Sequence, residues 1–397
     1  MKRKFKLLIL LFITLSLLSG CWSRKELDEM AIATALGIDK SGEDYLVTVQ
    51  ILNPGEIASQ ANTDRTEVTT YETTGKTIFE ALRKLTTKSP RKIYFAHTRV
   101  IIFGEELAKD SIKKPLDLIS RDHDFRTDFF ILVAKDTEAS NVLKVLTAIN
   151  KIPANKIFSS LQTSENEWAP TKAVTIDELI VNFTNGRSSP VLTSIIIEGN
   201  SQAGNKNSNV HQIDALAKLK LTGLAGFKKD KLVGWLNQEE SKGFNYITDN
   251  VESTVGYVPC EDEIIAVEVI NSSTDVTGKV QKGAPKINIQ VKSEANIGEV
   301  QCKKDVTKQE IIKELEEAFA DKTKAIIENS IKKAKDDLES DIFGFGEAIY
   351  RANPQAWKEI KQDWEQYFID LEIEIKVNFK IRSTGTIMES FQREKDE

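Results

Sequence analysis

Three cysteines, three histidines and a surplus of carboxylates are the residues through which this chain could do chemistry. The cysteines stand at 21, 260 and 302. A thiolate is both a nucleophile and a metal ligand, so each could carry a transfer reaction, hold a metal or close a disulfide. His97, His123 and His211 are far apart, and none has a companion at ligand spacing, which argues against zinc. "GFGEAI" from Gly344 lacks the third glycine of a dinucleotide loop, and no strand is read before it. No Gly-x-Ser-x-Gly nucleophile turn occurs. The 60 acidic residues show no spacing that singles out a catalytic pair, so they read as solvated surface. The expectation is a protein that is not an enzyme and has no cofactor or metal.

Cys21 is the exception, because its surroundings explain it. Lys2, Arg3, Lys4 and Lys6 form a basic opening, and residues 7–18 are apolar apart from Thr14 and Ser16. Twelve residues make about 18 Å of helix, too short for a hydrocarbon core of about 30 Å. A basic start, a short apolar run and small residues at its end are the parts of an export signal. Leu18-Ser19-Gly20-Cys21 resembles the bacterial lipobox, in which the cysteine takes a diacylglyceryl group and becomes the first residue of the mature chain. Two acyl chains on Cys21 would anchor the mature protein stably at the outer face of a cytoplasmic membrane. No later stretch is apolar enough to span.

Charge narrows the partners. The precursor carries −6, and its first twenty residues hold four basic residues and no acid, so the remainder stands near −10. Nucleic acid is therefore not an expected partner, since phosphate binding wants a basic face. A hydrophobic fraction of 40% and a charged fraction of 29% are ordinary for folded domains.

The elements that must position these residues read as an α+β chain with antiparallel sheets. Residues 1–20 form the signal, 21–148 a mixed α/β domain, 149–258 a β-rich middle domain with few helices, and 259–397 an α+β domain with one long helix. Ala31–Asp39 and Tyr45–Asn53 read as strands joined at Gly42. The polar, Thr-rich residues 54–75 read as a loop. "TIFEALRKLTT" is a helix, "KIYFAHTRVIIFG" and "RTDFFILVAKD" are strands, and "EASNVLKVL" is a helix. "ALAKLKLTGLAGF" turns at "KKDK" into "LVGWL" as a hairpin. "EIIAVEVI" and "KINIQVKSEANIGEV" make a second hairpin. Apolar residues from Ile312 to Ile342 at steps of three and four predict a helix over 305–342, laid across a sheet and ended by Gly344 and Gly346. "LEIEIKVNFKIRSTG" closes the chain as a strand.

Two pairs remain open. Cys260 precedes the first strand of the second hairpin and Cys302 follows the other, so a hairpin centred near residue 281 would set them opposite. A bridge needs Cα atoms within about 7 Å, and the sequence does not fix the register. Phe343 and Phe345 in "DIFGFG" either face a membrane partner or return to the core. The basic residues Arg83, Lys84, Lys88, Arg91 and Lys92 either touch headgroups or an acidic loop, or form a solvated face.

Several blocks together resemble the Ger(x)C spore germination lipoproteins, the C subunits of germinant receptors in endospore-forming bacteria. These are "GCWSRKELDEMAIATALGID", "SPRKIYFAHTRVIIFGEELAK", "RTDFFILVAK", "AGFKKDKLVGWLNQEESKGFNYI", "DIFGFGEAIYRANPQAW" and a closing "KIRSTG". The resemblance implies a three-domain, non-enzymatic lipoprotein at the outer surface of the spore inner membrane. It also implies partnership with two integral membrane subunits, A and B. Only Cys21 carries a chemical role over from the family. A solute-binding lipoprotein is the competing expectation, and it would show two doubly wound lobes.

Overall fold

The computed structural model describes residues 3–6, 29–58, 65–281 and 283–383, so Cys21 lies outside the described residues. A hairpin opens the fold. β1 (Met30–Ser41) and β2 (Asp44–Leu52) pair antiparallel through a turn in which Gly42 has φ +62°. β3 (Val68–Gly75) adds to the far side of β2. The region expected as loop over 54–75 therefore ends in an edge strand and begins with the short helix α1 (Pro54–Ala58). Its threonines are β-branched and suit a strand with one wet face.

On its other side β1 pairs parallel with β4 (Lys92–Tyr94) and β5 (Val100–Phe103). The single strand expected here is split, because Thr98 N–H donates to the Phe95 carbonyl at 2.9 Å and turns the chain. β6 (Phe130–Ala134) and β7 (Val191–Gly199) continue the parallel run, and β8 (Ala217–Lys228) and β9 (Lys231–Trp235) close it as an antiparallel hairpin. The order is β3-β2-β1-β5-β6-β7-β8-β9, with β4 beside the start of β1.

Helices cover both faces of this sheet. Residues 101, 103, 131 and 133 point to a core shared with α2 (Ile78–Lys84), α3 (Glu105–Asp110), α4 (Lys113–Arg121) and α7 (Ile176–Asn185). Residues 100, 102, 132 and 134 point the other way, toward α5 (Ala139–Leu143) and α6 (Pro153–Glu167). Period-two alternation with both faces buried explains why these strands read as unbroken apolar runs.

The middle segment is not a separate β-rich domain. Its strands β7, β8 and β9 extend the first sheet, and it contributes α6, α7 and α8 (Gln238–Ile247), the last opened by an Asn237–Glu240 capping box. The boundary expected after residue 148 thus falls inside one sheet. Parallel pairing of β6 with β7 across it is a long-range contact that local patterning does not record.

A second sheet has the order β10-β11-β12-β13, formed by Thr254–Cys260, Glu263–Gln281, Ala284–Val300 and Glu372–Ser383. Among the described residues there is one large sheet and one smaller one, not two doubly wound lobes. The long helix α9 spans Gln309–Asp336, 28 residues or about 42 Å, shorter than the span expected from the apolar rhythm. It lies against α8, β10 and β13 and buries Leu315, Phe319, Ile327 and Ile331. Leu338 and Ile342 keep the spacing of the stripe, but they are buried on non-helical backbone. α10 (Phe345–Ala352), α11 (Pro354–Ile360) and α12 (Trp364–Ile369) then lead to β13, which pairs parallel with β12.

Cys260 ends β10, and Cys302 follows β12 by two residues. Both are buried, and they are joined with their Cα atoms 5.9 Å apart. A bridge over a separation of 42 residues restrains the unfolded chain, and the loop-entropy relation gives about 4 kcal/mol. Replacing both cysteines by serine is therefore expected to lower the unfolding midpoint, and reductant should not lower it further. Two titratable thiols in the unreduced, denatured protein would show that no bridge forms.

Candidate functional site: two buried aspartates that join the sequence blocks

The chain after α9 runs Ser340-Asp341-Ile342-Phe343-Gly344-Phe345-Gly346, and Asp341 is buried. Its carboxylate is met only by donors. Oδ1 accepts the amides of Phe343, Gly344 and Phe345 at 3.2, 3.0 and 3.1 Å. Oδ2 accepts the Gly346 amide at 2.8 Å and the Trp364 indole N–H at 3.0 Å. Burial pushes the carboxyl above its ordinary range, and these donors pull it back. Asp341 thus sits at the N-terminus of α10, where free amides and the helix dipole favour an anion.

The glycines have jobs other than ending the long helix. Gly344 adopts φ +78° as the N-cap of α10. At Gly346 a Cβ would come within 2.7 Å of the Arg187 carbonyl oxygen and 2.8 Å of the Trp357 ring, so only glycine lets α10 approach the first sheet.

This turn is sewn to the first sheet. Ser189 N–H donates to the Asp341 carbonyl at 2.7 Å, and Ser340 Oγ donates to the Phe227 carbonyl at 2.8 Å. Arg187 pairs with Glu347 at 2.8 Å and lies 3.4 Å over the Tyr350 ring. At the β8–β9 turn, Lys228 and Lys229 reach Glu365 at 3.4 and 3.3 Å. The blocks "AGFKKDKLVGW" and "DIFGFG", far apart in sequence, are therefore parts of one junction.

A second buried aspartate does the same inside the first sheet. Asp39, from "ALGID", accepts the amides of Ala139 and Ser140 at 2.8 and 2.9 Å and so caps α5. Burial, abetted by Glu138, pushes its carboxyl up to about 6 despite those two amides. Gly104, from "IIFG", lacks a side chain because a Cβ there would fall 2.0 Å from Asp39 Oδ1.

The sequence-derived candidates scatter around this frame. Phe345 is fully buried and packs against Phe343 and Phe368, with centroids 5.1 and 6.3 Å away, so it has no surface to offer a partner. Of the two readings open for it, Phe345 takes the return to the core, as the first residue of α10. Phe343 is half-buried beside Phe244 and lines a cleft with Lys172, Glu178, Arg187 and Arg351. His97, His123 and His211 are separately exposed. Among the described residues, no three His, Cys, Asp or Glu side chains group as metal ligands.

Asp39 and Asp341 were not singled out by spacing or type. The usable signal at Asp341 was an acid followed by glycines at +3 and +5, ahead of a short amphipathic stretch. That is the local grammar of a helix N-terminus with free main-chain donors.

One mixed sheet flanked by helices, a second sheet crossed by a long helix and a polar junction between them define a non-repetitive two-sheet α+β protein. Residues 23–197 match the family described as "Spore germination protein N-terminal domain", and residues 222–385 match "Spore germination B3/ GerAC like, C-terminal". The chain belongs to this GerAC-like spore germination family. It is 32% identical to Spore germination protein KC of Bacillus subtilis (strain 168) over 397 residues, covering 97% of each chain. Spore germination protein B3 of the same organism is 24% identical, covering 98% of this chain and 100% of that one. The crystal structure of the GerBC protein shares the fold, with a TM-score of 0.58 at 19% identity, covering 87% of this chain and 96% of that one.

Proposed function

We propose that this protein is the lipid-anchored C subunit of a spore germinant receptor, a non-catalytic partner of two integral membrane subunits, A and B, in nutrient-triggered germination. A diacylglyceryl group on Cys21 holds it at the outer face of the cytoplasmic membrane, which becomes the spore inner membrane. The carrying observation is the end-to-end similarity to Spore germination protein KC. The buried acids support the same reading, since Asp39 and Asp341 are engaged by main-chain amides that fix helices in place. Tethering raises local concentration, so weak contacts suffice to hold the assembly together.

Deleting the gene is expected to abolish the response to one class of nutrient while sporulation and responses to other nutrients stay intact. The purified mature protein is expected to give no saturable heat when titrated with that nutrient. A stoichiometric calorimetric signal would move the sensing role to this chain and favour the solute-binding reading.

A further inference from the structure

The chain is acidic overall, yet the residues between Glu80 and Glu105 contain six Lys and Arg and no acid. The fold puts this basic stretch where the chain would leave for the membrane. β4 pairs with the first residues of β1, with Lys92 opposite Met30. Eight residues separate Cys21 from Met30, which at full extension reach about 30 Å. Lys88, Arg91 and Lys92 are all exposed at this end of the sheet. Lys88 donates to the Glu72 main-chain carbonyl at 2.7 Å, and Lys92 lies 4.0 Å from Asp124. Among the described residues neither Lys88 nor Arg91 forms an ion pair. Beside them a cleft of about 380 Å³ opens between Arg65 and Arg91, with Ser89, Tyr71 and Glu56 on its walls.

We propose that the segment leading into β4, with Lys88, Arg91 and Lys92, rests on the anionic phospholipid headgroups of the anchoring membrane, turning the N-terminal end of the parallel strands toward the bilayer. The proposal rests on acylation of Cys21. An acyl anchor alone leaves the body free to tumble about its tether. A cationic patch at the tether's root gives it one preferred orientation, because each basic residue near an anionic surface favours the docked state about fivefold. The attraction acts within a Debye length of about 8 Å, which the short tether allows.

The test uses the acylated protein on vesicles of phosphatidylcholine, with and without phosphatidylglycerol. A fluorophore is placed at Thr87→Cys or, on the opposite end of the strands, at Gln202→Cys, and quenching by headgroup-labelled lipid is read. The expected result is strong quenching at position 87 and little at 202, only with phosphatidylglycerol present. It should fade in high salt and in the Lys88→Glu/Arg91→Glu/Lys92→Glu variant. Flotation with neutral vesicles reports the anchor separately. A protein that floats but shows equal quenching at both positions, or no loss on charge reversal, overturns the docking alone. Failure to float overturns the anchor and the docking with it. Quenching that appears only when the integral subunits are also present overturns the lipid surface in favour of a protein one.

Discussion

Replacing Cys21 with alanine is expected to yield a protein whose intact mass keeps the first twenty residues and lacks any acyl group. The expectation follows from the chemistry of the proposed acylation: its nucleophile would be the thiolate of Cys21, and alanine has none. Buried acyl carbon contributes about 0.8 kcal/mol per methylene, so the two chains proposed on Cys21 would anchor the protein stably. The retained apolar run of residues 7–18 is too short to replace them. Alkaline washing should release the variant from membranes that keep the parent, and spores carrying it should respond weakly to the cognate nutrient. Normal acylation of the variant would end the lipobox reading.

Asp341→Ala is expected to destabilise the folded protein by about 4 kcal/mol, near the top of the range for one substitution. Five donors lose their acceptor, each worth about 1 kcal/mol net, offset in part by relief from burying a charge. Asp341→Asn keeps an oxygen but places an amide among donors, so it should recover less than half of the loss. Denaturant unfolding of the purified proteins checks both, with the near-ultraviolet signal of Trp357 and Trp364 reporting the junction. A midpoint for the alanine variant indistinguishable from the parent would show that the turn is held by its apolar packing instead. The loss should be felt in both sheets, because Asp341 and Ser340 bond the main chain of the first.

Much of this architecture is legible in the residues. The β1–β2 and β8–β9 hairpins follow from alternation around turns, and the β11–β12 hairpin from strict alternation at Ile287, Ile289 and Val291. The long helix announces itself through its stripe. Its end does not, since Leu338 and Ile342 are buried at helical spacing without being helical. Edge strand β3 hides because a strand with one wet face can be built from threonine, tyrosine and glutamate. Helix α6 falls in the segment expected to be β-rich, although Pro153 at its first turn and Ala154, Ile157 and Leu161 stepping by three and four mark a helix there. The joining of β6 to β7 was not, because strand order is decided by contacts that no local window contains. The two aspartates stayed hidden for a related reason. An acid is marked as structural only by the amides around it, and those come from turns whose geometry the sequence merely permits.

Strand β13 is the final element of the described fold, and its partner β12 is complete long before it. Lys286 waits for Glu372, and the pairing then runs along nearly the whole strand. A chain that emerges from its N-terminus therefore carries a seventeen-residue sheet edge with open amides and carbonyls until almost all of it has been released. Such an edge is a template for misassembly between neighbouring chains. The last strand shortens that edge: a product cut short within α9 to α12 would leave the seventeen residues of β12 open, whereas the finished sheet ends at the twelve of β13, whose Ile381 amide is taken by the Glu316 carboxylate.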